Sequence, residues 1–315
     1  MSGTIHGRAA IHRRRFLSAD QAVVDRYGDP FRPLEPHCSV IQFDQPLTSH
    51  QLQQAAGLIA DRPDVELYVY GRASKDLDFL RYFETVGRLH IALYELDDIS
   101  GFRHLQGLEE LTFGQTKKKF SLRFIEGLPQ LRKLFLAGHK KDLHAICQRH
   151  ELTSLGLSGI TLPDLSLLLP LTRLRKLSIL LGGTTNLDLL ARLPFLEDLF
   201  LMRITRLFDL SVLADLTALK TLRLDWMRNV RSLPSLAGLV RLDSVELDTM
   251  KGLTDLSPLA AAPALRRLII AAMPQLRAES FRVFIGHPRL EELWAHTGRS
   301  TVNQQIKRML PLIAR

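Results

Sequence analysis

The densest gathering of reactive side chains lies at His139, His144, Cys147 and His150, which contain the spacing His-x-x-Cys-x-x-His. On one side of a helix such spacing could gather zinc ligands. Leu143 and Ile146, however, hold the apolar positions of the same stretch, so the four residues are expected to decorate an outer surface. No metal site is expected. The motifs G-x-x-x-x-G-K-[ST], G-x-S-x-G, H-E-x-x-H and C-x-x-C do not occur, and each is the local device by which a phosphate cradle, an exposed nucleophile, a zinc hydrolase or a redox pair is built. Gly182-Gly183 reads as a loop pair. No enzyme and no cofactor are expected.

Cationic residues form the second candidate chemistry. Lys117, Lys118 and Lys119 are followed at a similar offset by Lys140 and Lys141, and Arg203, Arg206, Arg228, Arg231 and Lys251 extend the series. Arg13, Arg14 and Arg15 lie near the N-terminus. Net charge is +9 and the pI near 9.8. Clustered ammonium groups suit phosphates or an acidic protein surface. Few aromatic residues interleave with them, so base-by-base nucleic-acid reading is not expected. A solvated charged face explains the same residues.

These side chains must be held by something, and the chain's repetition says what. Apolar pairs of the form L-x-L return every 20 to 26 residues: Leu111/Phe113, Leu134/Leu136, Leu155/Leu157, Leu177/Ile179, Leu199/Leu201, Leu222/Leu224, Val245/Leu247 and Leu268/Ile270 are examples. Alternation within each pair puts one residue set inward and the other outward, as in a short strand. Behind each strand, apolar residues three apart, such as Leu207/Leu210/Leu213, suit a helical or 3-10 return. No single repeat can close its own core, so neighbours must stack.

Leu242-Asp-Ser-Val245-Glu-Leu247 followed by Leu253-Thr-Asp-Leu256-Ser-Pro-Leu259 resembles the bacterial leucine-rich repeat, in the 22–23-residue internalin-like class. The resemblance covers about 80% of the chain. It implies an α/β leucine-rich-repeat solenoid of about 10–12 repeats, with a curved parallel sheet on its concave face and short helices or 3-10 turns on its convex face. The expected organisation is a flexible basic arm over 1–17, an N-terminal cap with a first repeat-like strand over 18–64, repeats over 65–297 and a capping helix over 298–315. Within the cap, a capping box at Ser18–Gln21 would open a helix ending near Gly28. The chain departs from the family at one place. Where the family puts Asn or Cys after the strand, this sequence has Thr116, His139, Ile160, Gly182, Ile204, Met227, Met250 and Met273. An apolar ladder replaces a polar one, and the buried turn amides need other partners. The three methionines are expected to fill core and not to hold copper.

The outward strand positions are the candidate binding surface. Tyr68, Tyr70, Tyr94, Phe135, Phe200, Met202, Arg223 and Trp294 face outward, and Trp226 lies at the rim. Such residues make protein-interface hot spots. The alternative is mutual packing across strands, for example of Arg223 with Glu246. The resemblance implies a protein-binding module whose partner sits on the concave face, with the edge of Lys117, Lys118, Lys119, Lys140 and Lys141 steering an acidic partner. A nucleic-acid or polyanion binder using that edge and the N-terminal arm is the alternative. From the short flanks of the repeats no catalytic domain is expected beside them. There is no run of 18 apolar residues, so no membrane partner is expected. The start lacks a secretory apolar core, and two lone cysteines, Cys38 and Cys147, fit a reducing cytoplasm.

Overall fold

The computed structural model describes residues 14–17 and 29–311. The chain divides into two compact units between Leu152 and Thr153. The first contains β1 (Arg14–Phe16), β2 (Val40–Phe43), β3 (Glu66–Tyr70), β4 (Arg88–Ala92), β5 (Glu110–Phe113) and β6 (Lys133–Ala137), parallel and in chain order. Their returns are helix α1 (Ser49–Ile59) and then 3-10 segments at Asp78–Tyr82, Ser100–His104, Leu122–Gly127 and Leu143–Gln148. Thr48 and Gln51 form a reciprocal capping box that starts α1.

The second unit contains β7 (Ser154–Ser158), β8 (Lys176–Leu180), β9 (Asp198–Met202), β10 (Thr221–Asp225), β11 (Ser244–Asp248), β12 (Arg267–Ala271) and β13 (Glu292–His296), again parallel and in chain order. Its returns are 3-10 segments, the short α2 (Ser257–Ala260) and, after β13, α3 (Ser300–Met309). Between β10 and β11 there is no regular helix, yet Val230, Leu233, Leu236 and Leu239 are all buried. A spacing of three sends side chains to one side in an irregular turn as well as in a 3-10 helix.

The N-terminal segment differs from the expected flexible arm. Arg14–Phe16 pairs with β2, the Leu17 N–H donates to the Gln42 carbonyl at 2.7 Å, and Leu17 is 1% exposed. Arg15 also reaches Glu35 at 2.5 Å. The segment supplies a buried leucine and covers donors and acceptors that β2 would otherwise present at a bare edge. Residues 1–13 and the helix expected over 18–28 lie outside the described residues. At the other end α3 starts at Ser300, within the span of 298–315 given to the capping helix. It buries Val302 and Ile306, with Leu310 just beyond it, while Met309 is only half-buried.

Inward strand residues make the core: Leu67, Val69, Ile91, Phe113, Leu136, Leu201, Leu224 and Leu247 are all 0% exposed. Each such side chain contributes about 1.5–3 kcal/mol of transfer free energy. Backbone groups repeat as regularly. From β4 on, the carbonyl just before most strands accepts two N–H groups from the next coil, as Glu197 O does from Lys220 and Thr221 at 2.7 and 3.0 Å. The same edge alternates in sign in the second unit. Arg175 bonds Glu197 at 2.7 Å, Lys176 bonds Asp198 at 2.8 Å, Lys220 bonds Glu197 at 3.0 Å, and Arg266 lies 3.7 Å from Asp243 and 2.8 Å from Glu291. Exposed pairs contribute about 0.2–1 kcal/mol each, so the alternation specifies register more than it stabilises.

The ladder without asparagine is solved piecemeal. Met227, Met250 and Met273 are 0% exposed and fill core. Their carbonyls accept from Val230, Leu253 and Leu276 three residues on. Gln275 Nε2 donates back to the carbonyls of Met250 and Leu253 at 2.7 and 2.9 Å, and Asn229 Nδ2 to Thr205 O at 2.6 Å. In the first unit His139 takes the position. It is 0% exposed, stacks on Phe113 at 4.2 Å, and its Nε2 lies 3.0 Å from the Gly114 carbonyl. Its Nδ1 is buried without a partner. The return turns here also leave no room. A Cβ on Gly101 would lie 1.9 Å from the Leu77 carbonyl oxygen.

Two outcomes follow for stability. Gly101→Ala forces one 3-10 segment off its neighbour and should cost about 3 kcal/mol in denaturant unfolding; an unchanged midpoint would refute the close approach. Burial, chiefly, pushes the His139 imidazole below its ordinary 6.5, against the Gly114 hydrogen bond. The group is then neutral in the fold, and stability is lost as pH falls below 6.5. The thermal midpoint should fall between neutral and mildly acidic pH, and His139→Asn should flatten that fall. An equal fall in the variant would assign it to other groups.

Candidate functional site

The outward positions of the strands line up in register, and the side chains they bring together differ in the two units. In the first unit Tyr68 stacks on Tyr70 along β3 at 4.7 Å and on His90 of β4 at 4.2 Å. His90 Nδ1 lies 3.9 Å from Glu66. Tyr94, two residues beyond β4, is 57% exposed. Phe135 of β6 is half-buried and paired in register with Thr112, so it stands apart from the tyrosines.

In the second unit the middle outward row runs Ser178, Phe200, Arg223, Glu246, Ile269, Trp294. The Arg223 guanidinium sits 4.6 Å over the Phe200 ring. Its Nε and Nη2 donate to Asp225 Oδ2 at 3.0 and 2.8 Å, and Nη2 lies 3.6 Å from Glu246. Burial pushes the Asp225 carboxyl up, and the Arg223 hydrogen bond pulls it back only in part. Burial also pushes Glu246 up. Asp225 Oδ1 is buried without a partner. The expected pairing of Arg223 with Glu246 is therefore present, but Asp225 holds the guanidinium more closely. A guanidinium held on a ring by two carboxylates is a preset donor array, worth more to a partner than a free one because less rotamer entropy is lost. Met202 is half-buried beside this group on β9, while Trp294 is 36% exposed and lies 6.1 Å from His296.

Beyond each strand from β7 to β12 comes a left-handed residue. Gly159, Leu181, Arg203, Trp226, Thr249 and Ala272 all have φ between 50° and 65°. Each N–H donates to the last carbonyl of the next strand, at 2.8 to 3.0 Å. Only glycine adopts this conformation without cost; other residues lose about 1–2 kcal/mol. Trp226 is 41% exposed there, with Arg203 and Arg228 at 6.0 and 5.7 Å from its ring.

The lysine edge is partly spent on its own turn. Lys117, Lys118, Lys119, Lys140 and Lys141 are all exposed. Lys118 Nζ donates to Asp97 O at 2.6 Å and Lys119 Nζ to Thr116 O at 2.7 Å. The turn is reshaped as the lysine at position 119 indicates: Phe120, one residue later, enters the core at 7% exposure. Lys75 joins Lys117, Lys118, Glu95 and Asp97 around an open cleft. Sequence reading passed over Lys75, although it shares with Lys119 an offset of six residues from the strand's last inward residue.

The histidine and cysteine group comes apart. His139 faces inward and not outward, because its ring fills the ladder position against Phe113. The core positions of the following turn are Ala145 and Ile146; Leu143 is only half-buried. Among the described residues no three His, Cys, Asp or Glu side chains gather to hold a metal ion, and no helix is long and apolar enough to cross a membrane.

No family model matches the chain, and no curated protein matches it by sequence. Solved structures do match. An internalin, InlF, of Listeria monocytogenes is 20% identical, with a TM-score of 0.55 over 85% of this chain and 82% of that one. A leucine-rich-repeat protein of Leptospira interrogans is 14% identical, with a TM-score of 0.55 over 90% and 93%. A chain of the Toll–Spatzle complex of Drosophila is 17% identical, with a TM-score of 0.52 over 86% and 41%. With parallel strands in chain order within each unit, apolar residues turned inward and mostly 3-10 returns, the chain has the leucine-rich-repeat fold in its internalin-like form.

Proposed function

We propose that this chain is a non-enzymatic binding module that holds a partner protein against the outward face of its sheets, in a reducing compartment such as the cytoplasm. One observation carries the reading. Large side chains of hot-spot type stand on the outward face: Trp294 is 36% exposed, and Phe200 lies under a half-exposed Arg223 fixed by two carboxylates. Aromatic rings and arginine are the residues on which interface energy concentrates. Tyr68, Tyr70, Tyr94 and Phe135 offer the corresponding surface in the first unit, and Met202 adds an adaptable apolar contact beside Phe200. Both cysteines are free thiols, Cys38 buried and Cys147 half-buried, which supports the compartment. The Toll–Spatzle assembly gives this fold a precedent in a complex of proteins.

The double variant Phe200→Ala/Trp294→Ala tests the face. Its thermal midpoint should stay close to that of the original chain. A protein captured from its own cell extract by the original chain should be lost, with affinity for the purified partner down by at least about 2 kcal/mol. Equal affinity in the double variant removes the outward face of the second unit from the proposal.

A further inference from the structure

The cations of the second unit are not disposed alike on its two edges. On the N-terminal edge of the strands Arg175, Lys176, Lys220 and Arg266 each face a carboxylate from a neighbouring strand. On the C-terminal edge Arg203, Arg206, Arg228, Arg231 and Lys251 are exposed, and none forms an ion pair among the described residues. The sequence thus pairs bases with acids on one edge and leaves these bases out of ion pairs on the other.

Trp226 stands at the centre of that edge. Its backbone hydrogen bond to Asp248 O, at 2.8 Å, would be made by any residue at the position, as glycine and alanine do elsewhere in the ladder. A tryptophan at φ 56° is strained, and 41% of it stays exposed. What the ring does is gather two guanidiniums, at 6.0 and 5.7 Å, that repel one another.

We propose that Arg203, Trp226 and Arg228, backed by Arg206, Arg231 and Lys251, form a carboxylate-binding site that takes an acidic peptide segment of a protein partner. The site rests on the reading of the chain as a binding module but uses a different surface from the outward face. Planar guanidiniums grip carboxylates through two parallel hydrogen bonds, and the indole supplies the apolar floor between them. A nucleic-acid strand fits less well. It would ask for successive rings along its track, whereas the neighbouring ladder positions are Leu181, Thr249 and Ala272.

The test is titration of a dye-labelled oligoglutamate peptide at low salt, followed by anisotropy, with an oligothymidylate of equal charge in parallel. Arg203→Ala/Arg228→Ala should weaken oligoglutamate binding about tenfold or more, and Trp226→Ala severalfold, with the thermal midpoint unmoved. Arg241→Ala/Arg289→Ala removes the same charge from the opposite edge and should change the affinity less than about twofold. The Phe200→Ala/Trp294→Ala variant should bind oligoglutamate as before, so failure of the outward face and failure of this site are separable. Equal losses in the two arginine pairs, loss in the Phe200/Trp294 variant, no binding at low salt, or tighter binding of oligothymidylate would each overturn the proposal.

Discussion

A coil of 22 or 23 residues exposes two flanks, and the leucines turned into it meet water through both unless another coil covers them. Burial in this chain is therefore never local: Leu201 needs the coil of Ile179 on one side and that of Leu224 on the other, since β9 is hydrogen-bonded between β8 and β10. Everything outward follows from that. Because the inward set is fixed by stacking, each outward residue is fixed to one row, and residues about 22 apart in sequence become lateral neighbours. The Phe200–Arg223–Glu246 row is the direct product of leucines that none of the three touches.

The backbone carries a second layer of the same logic. Paired N–H donors to one carbonyl precede every strand of the second unit after β7, and a left-handed residue follows each strand from β7 to β12. Both ladders are made by main-chain atoms, so side chains at their ends are free to vary. On one edge variation is used to alternate charge and hold register. On the other it leaves guanidiniums around an indole. The turn position after each strand is here filled mostly by methionine, histidine or isoleucine, with Gln275 and Asn229 donating from elsewhere in the coil.

The repeating part of the fold was legible because one residue type at one interval reports one physical need. Strand positions, their inward and outward sides, the methionine core and the terminal helix follow from it. What escaped is what depends on a single long-range neighbour. His139 looks like a surface ligand beside Cys147 until Phe113 is seen beneath it. β1 has no periodic signature of its own and exists because β2 offers an edge and Glu35 a counter-charge. The outward aromatics were readable as a set, but Asp225 as the closest partner of Arg223 was not, since the two lie two residues apart on one strand and the sequence offers Glu246 across the strands equally well.

The alternating signs before the strands of the second unit also constrain how such a chain can change length. Excising any one coil from the Glu197 coil through the Arg266 coil would bring arginine or lysine against lysine, or carboxylate against carboxylate, across the new junction, while excising two adjacent coils would keep opposite signs in contact. Gene duplication and loss acting on this region would then be filtered in steps of two, giving descendants whose coil number keeps its parity.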